Sequence, residues 1–152
     1  MRIDHTVEVR APAQVVWTVV TDLAHYPEWN PFVVACASDL AVGTPIEMRV
    51  RLVGGIAQRQ RETILSHEPG RRLCYGLPSA FLGALSSSRC HHVESLGPER
   101  ARYASRFSLQ GALEPAVRAL LGPSLRRGFA AMTDALVRRA EDLARAAGGV
   151  PA

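Results

Sequence analysis

Lysine is absent from this chain of 152 residues, and all 18 basic residues are arginine. That excludes a phosphate-loop lysine, a Schiff-base lysine and a Ser-Lys nucleophile pair. The net charge of +4 points only weakly to a polyanionic partner. The arginines are spread over predicted strands and helix, and GC-rich coding explains their exclusive use better than phosphate recognition. No nucleic-acid partner is expected. No apolar run approaches the ~18 residues of a membrane span, so stable membrane insertion is not expected either. The alternating N-terminus is unlike a signal peptide. Cysteine is scarce: Cys36, Cys74 and Cys90 show no metal-ligand spacing and no even disulfide set, which points to a reducing cytoplasm. No dinucleotide fingerprint, phosphate loop, Ser-His-Asp order or metal cluster is present, so no cofactor and no metal are expected.

The chain is organised around its last long segment. Leu121, Leu125, Phe129, Met132, Leu136, Ala140 and Leu143 recur at intervals of three and four, which places them on one stripe of a helix over 114–147. Arg126, Arg127, Arg138, Arg139 and Arg145 fall on the other side. Pro115 suits a first turn, Gly122-Pro123 predicts a kink or a restart, and Gly148-Gly149 ends the helix. Each large side chain buried on that stripe contributes about 1.5–3 kcal/mol before entropy, so the helix needs a broad apolar partner.

The rest of the chain supplies it. Residues 2–10 alternate as a half-buried strand, with Ile3, His5, Val7 and Val9 on one face. Pro12 opens a short helix ending near Asp22, and the two prolines of His25–Phe32 permit only a short helical turn into a bend. Strands follow over 32–38, 45–53, 57–67, 71–77, 89–96 and 100–109, with the hairpin turn Gly54-Gly55 between two of them. The order is strand, two short helices, six strands, one long helix. An α+β fold with a curved antiparallel sheet of about seven strands around the C-terminal helix satisfies it, as one domain over 1–148 with a tail at 149–152.

Certain motifs carry a family resemblance: Val9-Arg10-Ala11-Pro12 followed by Val15, Val16 and Trp17, then Asp22, then Tyr26-Pro27-Glu28-Trp29-Asn30-Pro31, and Gly111 before the long helix. Through them the chain resembles the START-related helix-grip superfamily, in its bacterial polyketide cyclase/dehydrase and lipid-transport branch. The resemblance implies an elongated apolar cavity between sheet and helix, and a small hydrophobic molecule (lipid, polyketide or aromatic metabolite) as its occupant. Strand and helix parity then nominates Met48, Val50, Tyr75, Tyr103, Phe107, Leu121, Leu125 and Phe129 as its lining, with Trp29 near one end. The apolar connection 77–85, with Phe81 at its centre, reads as a lid, a homodimer contact, a membrane-touching lip or a packed loop.

Chemistry, if there is any, would fall to a few polar residues. His91 and His92 are adjacent in a strand and face opposite ways, so they cannot chelate one metal together. Parity with Val93 favours His91 as the inward one, although a slip of one residue would exchange them. An inward histidine with Tyr103, or an inward Arg89, is a candidate for acid–base work in aldol cyclisation or dehydration. Three readings follow: a binder of a hydrophobic molecule, a cyclase/dehydrase-type enzyme using the same cavity, and an interaction module working through 77–85.

Overall fold

The computed structural model describes residues 1–149. β1 (Arg2–Val9) leads through α1 (Ala13–Thr21), one turn of 3-10 helix (Leu23–His25) and α2 (Tyr26–Trp29) into β2 (Val33–Ala37). Four hairpin-linked strands follow, β3 (Pro45–Val53), β4 (Ile56–Glu68), β5 (Arg72–Ala80) and β6 (Leu85–Gly97). β7 (Arg100–Gln110) and the long helix α3 (Glu114–Gly148) complete the fold. The seven strands form one sheet in the order β1-β7-β6-β5-β4-β3-β2, every neighbouring pair antiparallel. This is the helix-grip α+β architecture expected from the sequence. Register shifts between Val33 and Ala35 and between Ile64 and Ser66 mark bulges, which strengthen the twist and curl the sheet.

Strict alternation in β3 buries Ile46, Met48, Val50 and Leu52 against the helix side. From α3 the buried stripe contains Leu125, Phe129, Met132, Leu136 and Ala140, joined by Thr133 and Ala135. Leu143, assigned to the stripe from its spacing, is 37% exposed and lies on its flank. The expected restart at Gly122-Pro123 does not occur, and α3 runs through Pro123 as one helix. A proline forfeits one helical hydrogen bond, and the burial of Leu125, Phe129, Met132 and Leu136 after it offsets that loss. Two glycines let elements approach closely. A Cβ at Gly128 would sit 2.2 Å from the Phe32 ring, and one at Gly111 would meet the Ala84 carbonyl oxygen at 2.3 Å.

The bend at 30–32 has a local cause. Buried Asn30 accepts hydrogen bonds on Oδ1 from the amides of Phe32 (3.0 Å) and Val33 (2.9 Å), turning the chain from α2 into β2. Trp29 packs edge-on against Tyr26, 5.0 Å between ring centroids. The 77–85 connection is mostly strand: β5 extends to Ala80, β6 begins at Leu85, and only a tight turn lies between. Its tip holds Phe81 and Leu82 at positive φ and largely exposed, whereas Leu85 is buried.

Contrary to the expectation from their spacing, two of the three cysteines are paired. Antiparallel register places Cys74 directly opposite Cys90, with Cα atoms 4.1 Å apart, and the two form a disulfide. Spacing along the chain carried no trace of this, because cross-strand pairs are set by register. Cys36 is the free cysteine, and the odd count no longer argues for a reducing compartment. Among the described residues, no helix is long and apolar enough to cross a membrane. The expected tail overlaps residues 150–152, which lie outside the described ones.

Candidate binding cavity

A cavity of about 360 Å³ opens between the concave face of the sheet and the first half of α3. Its floor comes from β3, β5 and β7 through Met48, Val50, Tyr75 and Phe107, and its roof from Leu121, Leu125 and Phe129 of α3. Phe81 stands at the rim, on the hairpin tip that also carries exposed Leu82. Seven of the eight residues nominated from parity therefore meet here, together with Phe81 of the 77–85 connection. Trp29, Tyr103 and His91, nominated with them, do not line it. Trp29 is taken up by its contact with Tyr26, and the other two are sealed one layer deeper.

That deeper layer is a closed polar cluster. The His91 ring is fully buried, with Nδ1 2.7 Å from the Tyr103 hydroxyl and Nε2 3.2 Å from that of Tyr75. Burial, reinforced by the nearby positive charge of Arg89, holds the imidazole pKa well below its ordinary value, so it stays neutral. Burial pushes the Tyr75 phenol well above its ordinary range and raises Tyr103 likewise, so both remain protonated. A neutral imidazole offers one N–H and one acceptor, and the two hydroxyls satisfy both. His91 thus reaches the cavity only through Tyr75. His92, the other histidine considered, points to the convex face and takes no part in the cavity.

Arg89 has the opposite situation two residues earlier on the same face of β6. It is 4% exposed and borders the cavity. Its guanidinium carbon lies 3.9 Å from the centroid of the Phe129 ring, and Nη2 approaches Met132 Sδ at 3.4 Å. Among the described residues, its Nε and Nη1 have no hydrogen-bond partner. A cation–π contact recovers only about 2 kcal/mol when desolvated, well short of the several kcal/mol cost of a buried charge without a counter-ion.

Glu62 supplies the second ionisable group of the cavity wall. Burial raises its carboxyl to about 7, and the charge of Arg89 opposes the shift. Sequence reasoning passed over this residue, yet a signal was present. The inward parity of β4 carries Gln58, Gln60 and Glu62, paired across to Val50, Met48 and Ile46. A strand polar on both faces inside a sheet marks a place where the core is not filled with apolar side chains.

Residues 1–141 match the family model described as polyketide cyclase/dehydrase and lipid transport. No curated relative matches the chain. Among solved structures, the chain is similar to the Zhui aromatase/cyclase from Streptomyces sp. R1128, at 25% identity and TM-score 0.73 over 99% of both chains. It is also similar to a START superfamily protein from Mycobacterium smegmatis, at 22% identity and TM-score 0.69 over 93% of this chain and 98% of the other. Norcoclaurine synthase from Thalictrum flavum, solved with dopamine and hydroxybenzaldehyde, matches at 21% identity and TM-score 0.65, covering 91% of this chain and 84% of that one.

Proposed function

From the premise that the chain belongs to the polyketide cyclase/dehydrase and lipid transport family, we propose that it binds one small, mostly apolar molecule carrying an anionic or enolic oxygen. The molecule lies in the cavity between sheet and α3, with its oxygen against Arg89. The observation that carries this reading is the buried guanidinium whose Nε and Nη1 have no partner among the described residues. An acidic oxygen there would accept charge-assisted hydrogen bonds and compensate the buried cation, while the aromatic and aliphatic walls take the hydrophobic body. In this reading residues 1–148 act as one domain, in the cytoplasm.

A second reading, a cyclase/dehydrase-type enzyme, is favoured by one further observation: Glu62 titrates at about 7 in the same cavity as Arg89. An ionised Glu62 would remove a proton from a carbon next to a carbonyl. The electron pair would pass to the carbonyl oxygen, stabilised by Arg89, and the enolate carbon would attack a second carbonyl of the same molecule. The resulting alkoxide would recover the proton from Glu62. The Zhui protein is named as an aromatase/cyclase; here that activity is the alternative to simple binding. The interaction-module and homodimer readings rest on exposed Phe81 and Leu82 alone and stand behind both.

Native mass spectrometry of the protein from its own host tests the reading, with release of any bound molecule by mild denaturation. A co-purifying acidic or enolic apolar compound near one-to-one supports it. A bound compound lacking any such oxygen would sink the role given to Arg89.

A further inference from the structure

The convex face of the sheet carries a second cluster, separated from the cavity by strand parity. Cys90 and His92 alternate along β6 with Arg89 and His91, so they project to the opposite side. Register places Cys74 across from Cys90, and His92 is two residues further along β6 on the same face. Cys74 Sγ, Cys90 Sγ and a ring nitrogen of His92 all lie within 4.8 Å of one another. The strands bearing them are the central pair β5 and β6, while the remaining cysteine, Cys36, is on the edge strand β2.

We propose that, with the Cys74–Cys90 bond reduced, these three side chains form a binding site for a thiophilic divalent cation of the zinc class. Two thiolates and one imidazole are the protein ligands of an open zinc site, in which water takes the fourth position. Tetrahedral bond lengths of ~2.3 Å to sulfur and ~2.0 Å to nitrogen require donors about 3.5–3.8 Å apart, within reach of side-chain rotation from the observed grouping. The electrostatics also fit. Arg72 pairs across from His92 and Arg106 across from Cys90. A dication bound by two thiolates is a neutral unit, so these arginines do not repel it. Glu68, ion-paired with Arg72, adds the negative charge facing the cluster. Surface depressions bordered by Arg72, His92 and Arg106 give an ion access from solvent.

The chemistry balances in two steps. A cellular dithiol transfers two electrons and two protons to the disulfide, giving the thiols of Cys74 and Cys90 and becoming a disulfide itself. Binding of the cation then forms two sulfur–metal bonds and one nitrogen–metal bond and releases the two thiol protons. The oxidised and metal-bound forms are mutually exclusive, because the same sulfur electron pairs serve both.

The test is an anaerobic titration with Co2+ alone, of the oxidised protein and of protein reduced with a phosphine that is then removed. The reduced protein should develop a sulfur-to-cobalt charge-transfer band that saturates at one-to-one, with two protons released and Zn2+ displacing the Co2+. The oxidised protein should show no such band. His92→Gln should weaken Co2+ binding at least about 10-fold, since loss of even an outer-shell partner of a metal site costs that much. Cys74→Ser or Cys90→Ser should each remove most of the band. If a serine variant does not fold, the oxidised-against-reduced comparison and His92→Gln, a change at a half-buried surface position, still decide. A reduced protein without a saturating charge-transfer band would overturn the proposal, and so would a His92→Gln chain that binds as tightly as the parent.

Discussion

Arg89 and His91 stand two residues apart on the same face of β6, yet their surroundings are opposite. His91 lies in the filled half of the interior, where its two nitrogens meet the Tyr75 and Tyr103 hydroxyls. Arg89 lies at the boundary of the unfilled half, with an aromatic ring under it and two nitrogens unpartnered. A buried polar group whose every bond is made within the protein specifies a core. One whose bonds are left unmade beside an empty space is where the proposed ligand's oxygen would be held. The difference also separates a histidine that would attract attention as a catalyst from an arginine and a glutamate that are better placed for the role.

The contrast can be broken by substitution. The largest effect is expected for Phe129→Arg, which places a second cation beside Arg89 and removes the ring between α3 and Phe107. It should cost roughly 4 kcal/mol or more in urea unfolding and abolish binding of apolar molecules. An unchanged melting temperature would mean that this face of α3 is not the buried one. Next comes His91→Leu, which leaves two buried phenol hydroxyls unpaired. It should lower stability by about 2–4 kcal/mol while leaving the cavity able to bind. If ligand binding vanished with the fold intact, the sealed cluster would belong to the site after all.

Arg89→Met should act in the other direction. Exchanging a buried unpaired charge for an apolar side chain of similar length should raise stability by about 1–4 kcal/mol and remove the preference for acidic ligands. A marked loss of stability would show that Arg89 is a structural residue. The smallest effects concern pH. The pKa of His91 is held well below 6.5, so the unfolded chain takes up a proton that the folded chain refuses. Its contribution is present above that value and is lost as pH falls below it. Glu62 is raised from 4.5 to about 7, so its contribution is present at low pH and is lost as pH rises through about 7. Urea midpoints between about pH 5 and pH 8 should therefore change slope in opposite senses in His91→Leu and Glu62→Gln. Slopes that change in the same sense would contradict the assigned shifts.

The architecture was legible in the sequence because two periodicities carry it. The period-two pattern of β3 and the stripe of α3 each required an apolar partner, and each supplies the other's. Parity also reached the cavity walls: Met48, Val50, Tyr75, Phe107 and the α3 residues meet there. What parity could not tell was depth. It places Tyr75, Tyr103, Arg89 and His91 on one face, but not which of them border empty space and which are buried behind others. Trp29 was misplaced for a related reason: a large aromatic beside a bend signals burial without naming its neighbour. The Cys74–Cys90 pair was invisible because register is fixed by the whole sheet. Glu62 could have been found from the inward Gln58, Gln60 and Glu62 of β4, a polar triplet that no filled core would accept.

The most direct test of the account is the binding of a matched pair, dodecanoate and dodecanol, measured by displacement of a fluorescent apolar probe from the parent chain and from Arg89→Met. The acid should bind the parent one-to-one and at least about 10-fold more tightly than the alcohol, a difference of ~1.4 kcal/mol that should disappear in Arg89→Met. Equal affinities in the parent, or an acid preference that survives the loss of the guanidinium, would contradict it.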